Sequence, residues 1–162
     1  PKATALAERA LDINPGCRVT PLIYHYSPES RESFFQGNYD YIVDAIDLVS
    51  CKLDLIQTAL ERQVPIISAL GTGNKLDGSL LRVSDISKTE GCPLARVVRK
   101  ELRQRGIRHH KVVWSPEEAR KPAQPEAPPP GRRSVPASVV WVPAAAGLLL
   151  AGEVVKDLTE QN

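Results

Sequence analysis

Methionine is absent from the 162 residues, and the chain opens on a proline followed at once by a helical pattern. A coding start supplies a methionine, so the expectation is a chain that lacks its beginning. Cysteine is scarce: Cys17, Cys51 and Cys92 form an odd set with no C-x-x-C pair, which argues against a disulfide framework and against a four-cysteine zinc site and fits a reducing, cytoplasmic setting. An excess of one charge is lacking too. With 21 Lys and Arg against 19 Asp and Glu the net charge is +2, so any nucleic-acid partner must be argued from local clusters. No secretory leader opens the visible sequence. Residues 134–152 hold no charge but are interrupted by Pro136 and Pro143, which favours a buried strand and helix over a membrane span. There is no internal repeat, and the length suits one domain with one core.

What is present is a regular alternation. Leu6, Ala10, Leu11 and Ile13 repeat at helical spacing up to Asn14-Pro15-Gly16, a strong stop. Residues 18–24 then read as a short strand, 28–35 as a short helix, 39–45 as a second strand, 50–62 as a helix with Leu53, Ile56 and Leu60 inward, and 64–70 as an apolar strand running into Gly71-Thr72-Gly73-Asn74. Beyond these, 78–83 reads as a strand, 92–104 as a helix with Leu94, Val97, Val98 and Leu102 inward, and 111–114 as a strand. Residues 116–136, rich in proline, alanine and charge, cannot support a packed core and read as an extended insert. Residues 139–142 and 144–158 close the chain as strand and helix. Near-continuous apolar strands joined by helices imply an α/β, Rossmann-like doubly wound, mostly parallel sheet with helices on both faces. In such sheets ligands sit beyond the carboxyl ends of the strands, which puts Asp44, Asp47 and the loop 71–74 on one rim.

Several residues carry possible chemistry. A carboxylate just past a strand suits Mg2+, although a helix cap is the commoner use of such an Asp. Gly71 and Gly73 expose backbone to an anion, a monovalent cation or an adenosine, or else form a plain turn. Cys92 precedes Pro93 at a helix start, where a thiolate is favoured, although a free cysteine is commonly a small buried hydrophobe. Arg96, Arg99 and Arg103 recur along one helix face, as a solvated surface or as phosphate contacts. His109 and His110 have no ligand partner at useful spacing and read as surface residues. Lys2 is by default a solvated helix residue.

Three segments occur in order: Asp44-Ala45-Ile46-Asp47, then residues 68–77 (SALGTGNKLD), then residues 88–96 (KTEGCPLAR), followed by Lys111-Val112-Val113-Trp114-Ser115. Together they resemble the HesA/MoeB/ThiF adenylyltransferase family, related to the ubiquitin-activating enzymes. Within it they are most similar to the branch that dehydrates threonylcarbamoyladenosine at position 37 of tRNA. The resemblance covers nearly the whole chain and implies ATP and Mg2+ as cofactors, tRNA as substrate and a homodimer. It implies that Lys2 contacts the ATP phosphates, that Asp47 holds Mg2+, and that the family's glycine-rich nucleotide loop lies upstream of Pro1. The chain is then expected to be the carboxy-terminal part of one adenylyltransferase domain, its insert at 116–136 and its closing strand and helix at 138–158. Two alternatives stay open: activation of the tail of a ubiquitin-like sulfur-carrier protein, and a non-catalytic binding module. On this reading the purified 162-residue chain does not turn over ATP; measurable AMP formation by that chain alone overturns it.

Overall fold

The computed structural model describes residues 1–120 and 137–160. They fall into two compact units, Pro1–Asn38 and Tyr39 onward.

The first unit holds helix α1 (Lys2–Ile13) and the single turn α2 (Arg31–Phe34). Asn14 ends α1 in extended conformation, its N–H bonded to the Ala10 carbonyl, as the Asn-Pro-Gly stop predicts. No strand forms at 18–24. Pro21 lacks a ladder donor, and the aromatic side chains pack locally instead: Tyr24 and Tyr26 each meet Phe34 edge-on, with ring centroids 5.1 and 5.2 Å away.

The second unit is built on four strands: β1 (Ile42–Asp44), β2 (Ile66–Ala69), β3 (Arg82–Asp85) and β4 (Lys111–Trp114). Their order is β1-β2-β4-β3, with β1, β2 and β4 parallel and β3 antiparallel on the edge. The expected mostly parallel sheet is present. Helix α3 (Val49–Glu61) makes the β1-to-β2 crossover, and α4 (Pro93–Gln104) links β3 to β4. Helix α5 (Trp141–Glu160) lies on the sheet face where Ile67 and Val113 pack against Ala146 and Leu150. Side chains alternate across a strand, so Ser68 and Val112 point to the opposite face, where α3 packs against β1 and β2 and touches α4.

Four expectations are corrected here, the first being Leu60 on α3, which is 39% exposed while Leu53 and Ile56 are buried. Residues 78–80 form a 3-10 turn, with the Asp77 carboxylate accepting the Ser79 N–H at 2.8 Å, and the strand starts only at Arg82. Residues 139–142 are not a strand. Helix α5 begins at Trp141 and keeps Pro143 in its first turn, where a missing N–H breaks no helical bond. The inward face of α4 is Ala95, Val98 and Leu102, while Val97 stands 46% exposed. Of the insert, residues 116–120 are described and 121–136 lie outside the described residues.

The far end of α5 is fixed to the sheet by charge. Lys111 Nζ donates to both Asp157 oxygens at 2.6 and 2.8 Å and to Glu153 at 3.3 Å, and Tyr41 Oη donates to Asp157 at 2.6 Å. The Lys111 and then the Tyr41 hydrogen bond hold the Asp157 carboxyl below the usual carboxylate range. A carboxyl with a depressed folded pKa stabilises the fold fully above the unfolded value of about 3.9, and that contribution is lost as pH falls through the folded value. Urea unfolding between about pH 5 and about pH 2 should therefore show a steeper acid loss for the unaltered chain than for Asp157→Asn; equal acid slopes refute the assignment.

Candidate functional site

A cavity of about 420 Å³ opens at the carboxyl ends of β1 and β2. Ala45, Ile46 and Asp47, which follow β1, form one wall, and Leu70 to Gly73, which follow β2, form another. Leu94 from the first turn of α4 and Pro143, Ala146, Gly147 and Leu150 from α5 complete the lining, with Ala137 and Ser138 at the entrance to α5. The walls are largely apolar and the rim carries Asp47, an exposed side chain. The sequence-predicted rim of Asp47, Gly71 and Gly73 is therefore one place in space.

Asp44 separates from that set. Its side chain is fully buried, its Oδ1 accepts the Ile46 N–H at 2.9 Å, and its Oδ2 accepts Lys52 Nζ at 2.6 Å. Lys52, also fully buried, donates as well to the Ala69 carbonyl at 3.0 Å. Burial lowers the Lys52 pKa, opposed by the Asp44 charge beside it. Asp44 is held inside the scaffold, whereas Asp47 stands exposed at the rim.

The glycines are not demanded by crowding. An added Cβ at Gly71 would lie 3.6 Å from the Leu94 side chain, and one at Gly73 would lie 3.5 Å from the Ala137 carbonyl, both ordinary contacts. The left-handed residue of the loop is Asn74, at φ 58°. Its N–H donates to the Ala137 carbonyl at 2.7 Å, its Oδ1 accepts the Ala137 N–H at 3.3 Å, and its carbonyl accepts the Arg120 N–H at 2.8 Å. Asparagine tolerates this conformation better than most residues. The loop is thus fastened to the stretch that enters α5.

Cys92 is 4% exposed at the N-cap of α4, and Leu94, not Cys92, lines the cavity. Lys75, buried nearby, donates Nζ to the Ser115 carbonyl at 2.7 Å; burial lowers its pKa, with the Cys92 and Glu117 charges opposing. Lys2 is an exposed residue at the start of α1, in the first unit. Arg96 and Arg103 are exposed along α4, while Arg99 is half-buried and donates to the carbonyl and hydroxyl of Thr89. Among the described residues no cluster of three His, Cys, Asp or Glu side chains could hold a metal ion.

Besides Lys75, the buried Lys52 and His110 escaped the sequence reading. Lys52 occupies an apolar stripe with Leu55, Ile56 and Ala59, spaced i, i+3, i+4 and i+7, and a charge in such a stripe is itself a sign of a buried partner. His110, expected at the surface, is 5% exposed and hydrogen-bonds through Nε2 to Ser68 Oγ at 2.7 Å. It shares strand parity with Val112, whose side chain lies on the sheet face opposite α5, and both are buried. His109 is the exposed one of the pair, 3.4 Å from Asp85.

The ThiF family model matches residues 1–162. The chain belongs to the ThiF family. It is 38% identical over 167 residues to the tRNA threonylcarbamoyladenosine dehydratase of Bacillus subtilis, covering 98% of this chain and 66% of that protein. It is 35% identical over 102 residues to the enzyme of the same name from Escherichia coli, covering 63% of this chain and 38% of that protein. The fold matches the crystal structure of E. coli tRNA N6-threonylcarbamoyladenosine dehydratase, TcdA, in complex with AMP, at a TM-score of 0.84 and 27% identity over 99% of this chain and 65% of that one. The complex of TcdA with ATP matches at the same TM-score. This ThiF-family chain thus spans 66% of the length of its Bacillus relative and less of the E. coli one.

Burial pushes the His110 pKa down to about 4, with the Lys52 charge adding to the shift and Asp44 and Asp85 opposing it. The unfolded chain takes up a proton near the ordinary value of about 6.5 while the folded chain does not, so stability falls as pH drops below about 6.5 and the loss levels off near the folded value. The loss from this group between pH 7 and pH 4 is about 3 kcal/mol. Denaturant unfolding at both pH values should show a smaller difference for His110→Gln; an identical difference shows that His110 does not supply it.

Proposed function

We propose that this chain is part of an ATP-dependent tRNA threonylcarbamoyladenosine dehydratase. The observation that carries the reading is the cavity beside Asp47 and Gly71–Gly73, at the strand ends of a chain whose fold matches an enzyme solved with AMP and with ATP. Support also comes from the dehydratase names of its relatives.

The reaction has two steps. A carboxylate oxygen of the threonylcarbamoyl group attacks the α-phosphorus of ATP, the bond to the β-phosphate oxygen breaks, and pyrophosphate leaves. A nucleophile within the same substrate molecule then attacks the activated acyl carbon, closing a ring and expelling AMP, with net loss of water. Activation is needed because a free carboxylate is a poor electrophile. Each residue's part follows from its place. The apolar lining from α5 and Leu94 offers few polar partners to water, so a nucleotide seated there would displace water and strengthen the electrostatic interactions around it. The 71–73 backbone offers its polar groups to the nucleotide or to a monovalent cation.

Asp47 is the residue we assign to Mg2+. Magnesium is commonly held by one or two carboxylates with phosphate oxygens and water, and Asp44 is already engaged by Lys52, so a single carboxylate at the rim fits. The ion supplies charge neutralisation on the phosphates. Lys2 is assigned to the same phosphates on the family register alone. Arg96 and Arg103 are the tRNA phosphate contacts we propose, while Arg99 is engaged with Thr89. Cys92 is assigned no covalent role, since the reaction needs no thioester carrier. The exposed apolar stripe of Trp141, Leu148 and Val155 on α5 suits a homodimer contact, and a cytoplasmic location is part of the same proposal, supported by three cysteines with no disulfide among them. No helix among the described residues is long and apolar enough to cross a membrane.

The test uses the product of the complete gene, incubated with ATP, Mg2+ and tRNA bearing threonylcarbamoyladenosine, with the digested nucleosides weighed by mass spectrometry. The expected result is loss of one water, about 18 mass units, with stoichiometric AMP, and a fall of at least about 100-fold in kcat/KM for Asp47→Asn. AMP that appears only on addition of a ubiquitin-like protein would make the sulfur-carrier reading correct.

A further inference from the structure

We propose that Lys52 is a positioning residue that holds together the two loops flanking the cavity and so sets where the Asp47 carboxylate stands. Its catalytic consequence rests on the nucleotide reading above; its structural content does not.

Lys52 sits in the first full turn of α3 with no exposed surface. Its ammonium has three donors. One goes to Asp44 Oδ2, on the last residue of β1, and another to the carbonyl of Ala69, the last residue of β2. The other Asp44 oxygen turns back to the Ile46 N–H. A single buried cation therefore bridges the points where both strands end, and the cavity walls begin within the next residues: Ala45 to Asp47 on one side, Leu70 and Gly71 on the other. Neither Lys52 nor Asp44 lines the cavity, so the pair acts through the loops and touches no substrate.

Stability is a poor explanation for such a pair. Replacing a buried ion pair by well-packed neutral groups is commonly neutral or stabilising, whereas removing one partner leaves an uncompensated charge and is strongly destabilising. An apolar side chain at position 52 would continue the stripe of Leu55, Ile56 and Ala59. What a neutral pair lacks is the fixed, short geometry of a charge-assisted hydrogen bond on two separate strands.

The experiment neutralises both partners together, Lys52→Met with Asp44→Asn, in the product of the complete gene. Three quantities are read: thermal unfolding, hydrogen exchange at the Ile46 and Leu70 amides, and KM for ATP against kcat. In the folded variant the expected result is faster exchange at both amides and a KM for ATP raised about 10- to 100-fold, the range seen when groups behind a binding residue are removed, with kcat changing less. A shift in Tm alone, with exchange and KM unchanged, overturns the proposal. Should the variant not fold, exchange in the unaltered protein decides: one shared opening free energy for Ile46 and Leu70 supports the strut, and two separate ones overturn it. If the unaltered protein neither binds nor adenylates ATP, the functional reading fails while the exchange result still decides the role of Lys52.

Discussion

The buried contact among Asp44, Lys52 and the Ala69 carbonyl is the constraint on which the rest of the site depends. A parallel sheet delivers all its carboxyl ends to one edge, but it does not fix the loops that leave those ends. Here the loop after β1 is turned by the Asp44 carboxylate onto the Ile46 N–H, and the loop after β2 starts from the peptide that Lys52 holds. Asp44 is turned inward by these bonds, while Asp47, three residues on, lines the rim. Two aspartates three residues apart thus have different environments, one fully buried and one exposed, and that difference separates scaffold from site.

The opposite wall is set by a second polar arrangement. Ala146 and Leu150 press on Ile67 and Val113 near the cavity, while Lys111, Tyr41 and Asp157 fasten the other end of α5 to β1 and β4. Apolar packing fills the space but is indifferent to small sliding along the helix; directional hydrogen bonds at one end remove that freedom. The first turn of α5 is held in turn by Trp141 Nε1 on the Leu76 carbonyl at 2.7 Å and by the Asn74 bonds to Ala137. The loop 71–74 therefore meets α5 through hydrogen bonds as well as through the cavity lining.

Much of this was legible beforehand. Hydrophobic periodicity locates α1, α3, α4 and β4 to within about two residues, and the rule for parallel sheets puts the loop 71–74 and Asp47 on a common rim, though it puts the buried Asp44 there as well. Where the reading failed, local signals lost to context. Residues 18–24 have strand composition, yet Pro21 removes a ladder donor and the neighbouring aromatics cluster with Phe34. Residues 139–142 also have strand composition, but they run into a helix that accepts Pro143 in its first turn. On α4 periodicity counts Val97 inward and passes over Ala95, two positions away, because both are apolar and spacing alone cannot rank them.

By itself the sequence determined most of the elements, the α/β class and the residue types available for nucleotide chemistry, because periodicity and loop composition are local properties written along the chain. Only the tertiary structure decided which polar side chains serve the scaffold. Lys52, Lys75, His110 and Arg99 look like ordinary polar residues in one dimension, yet each finds its partner on another segment: Asp44, Ser115, Ser68 and Thr89. Burial and pairing depend on what the fold brings within hydrogen-bond distance. The separation of Asp47 from Asp44 therefore became visible only once β1, α3 and β2 stood side by side.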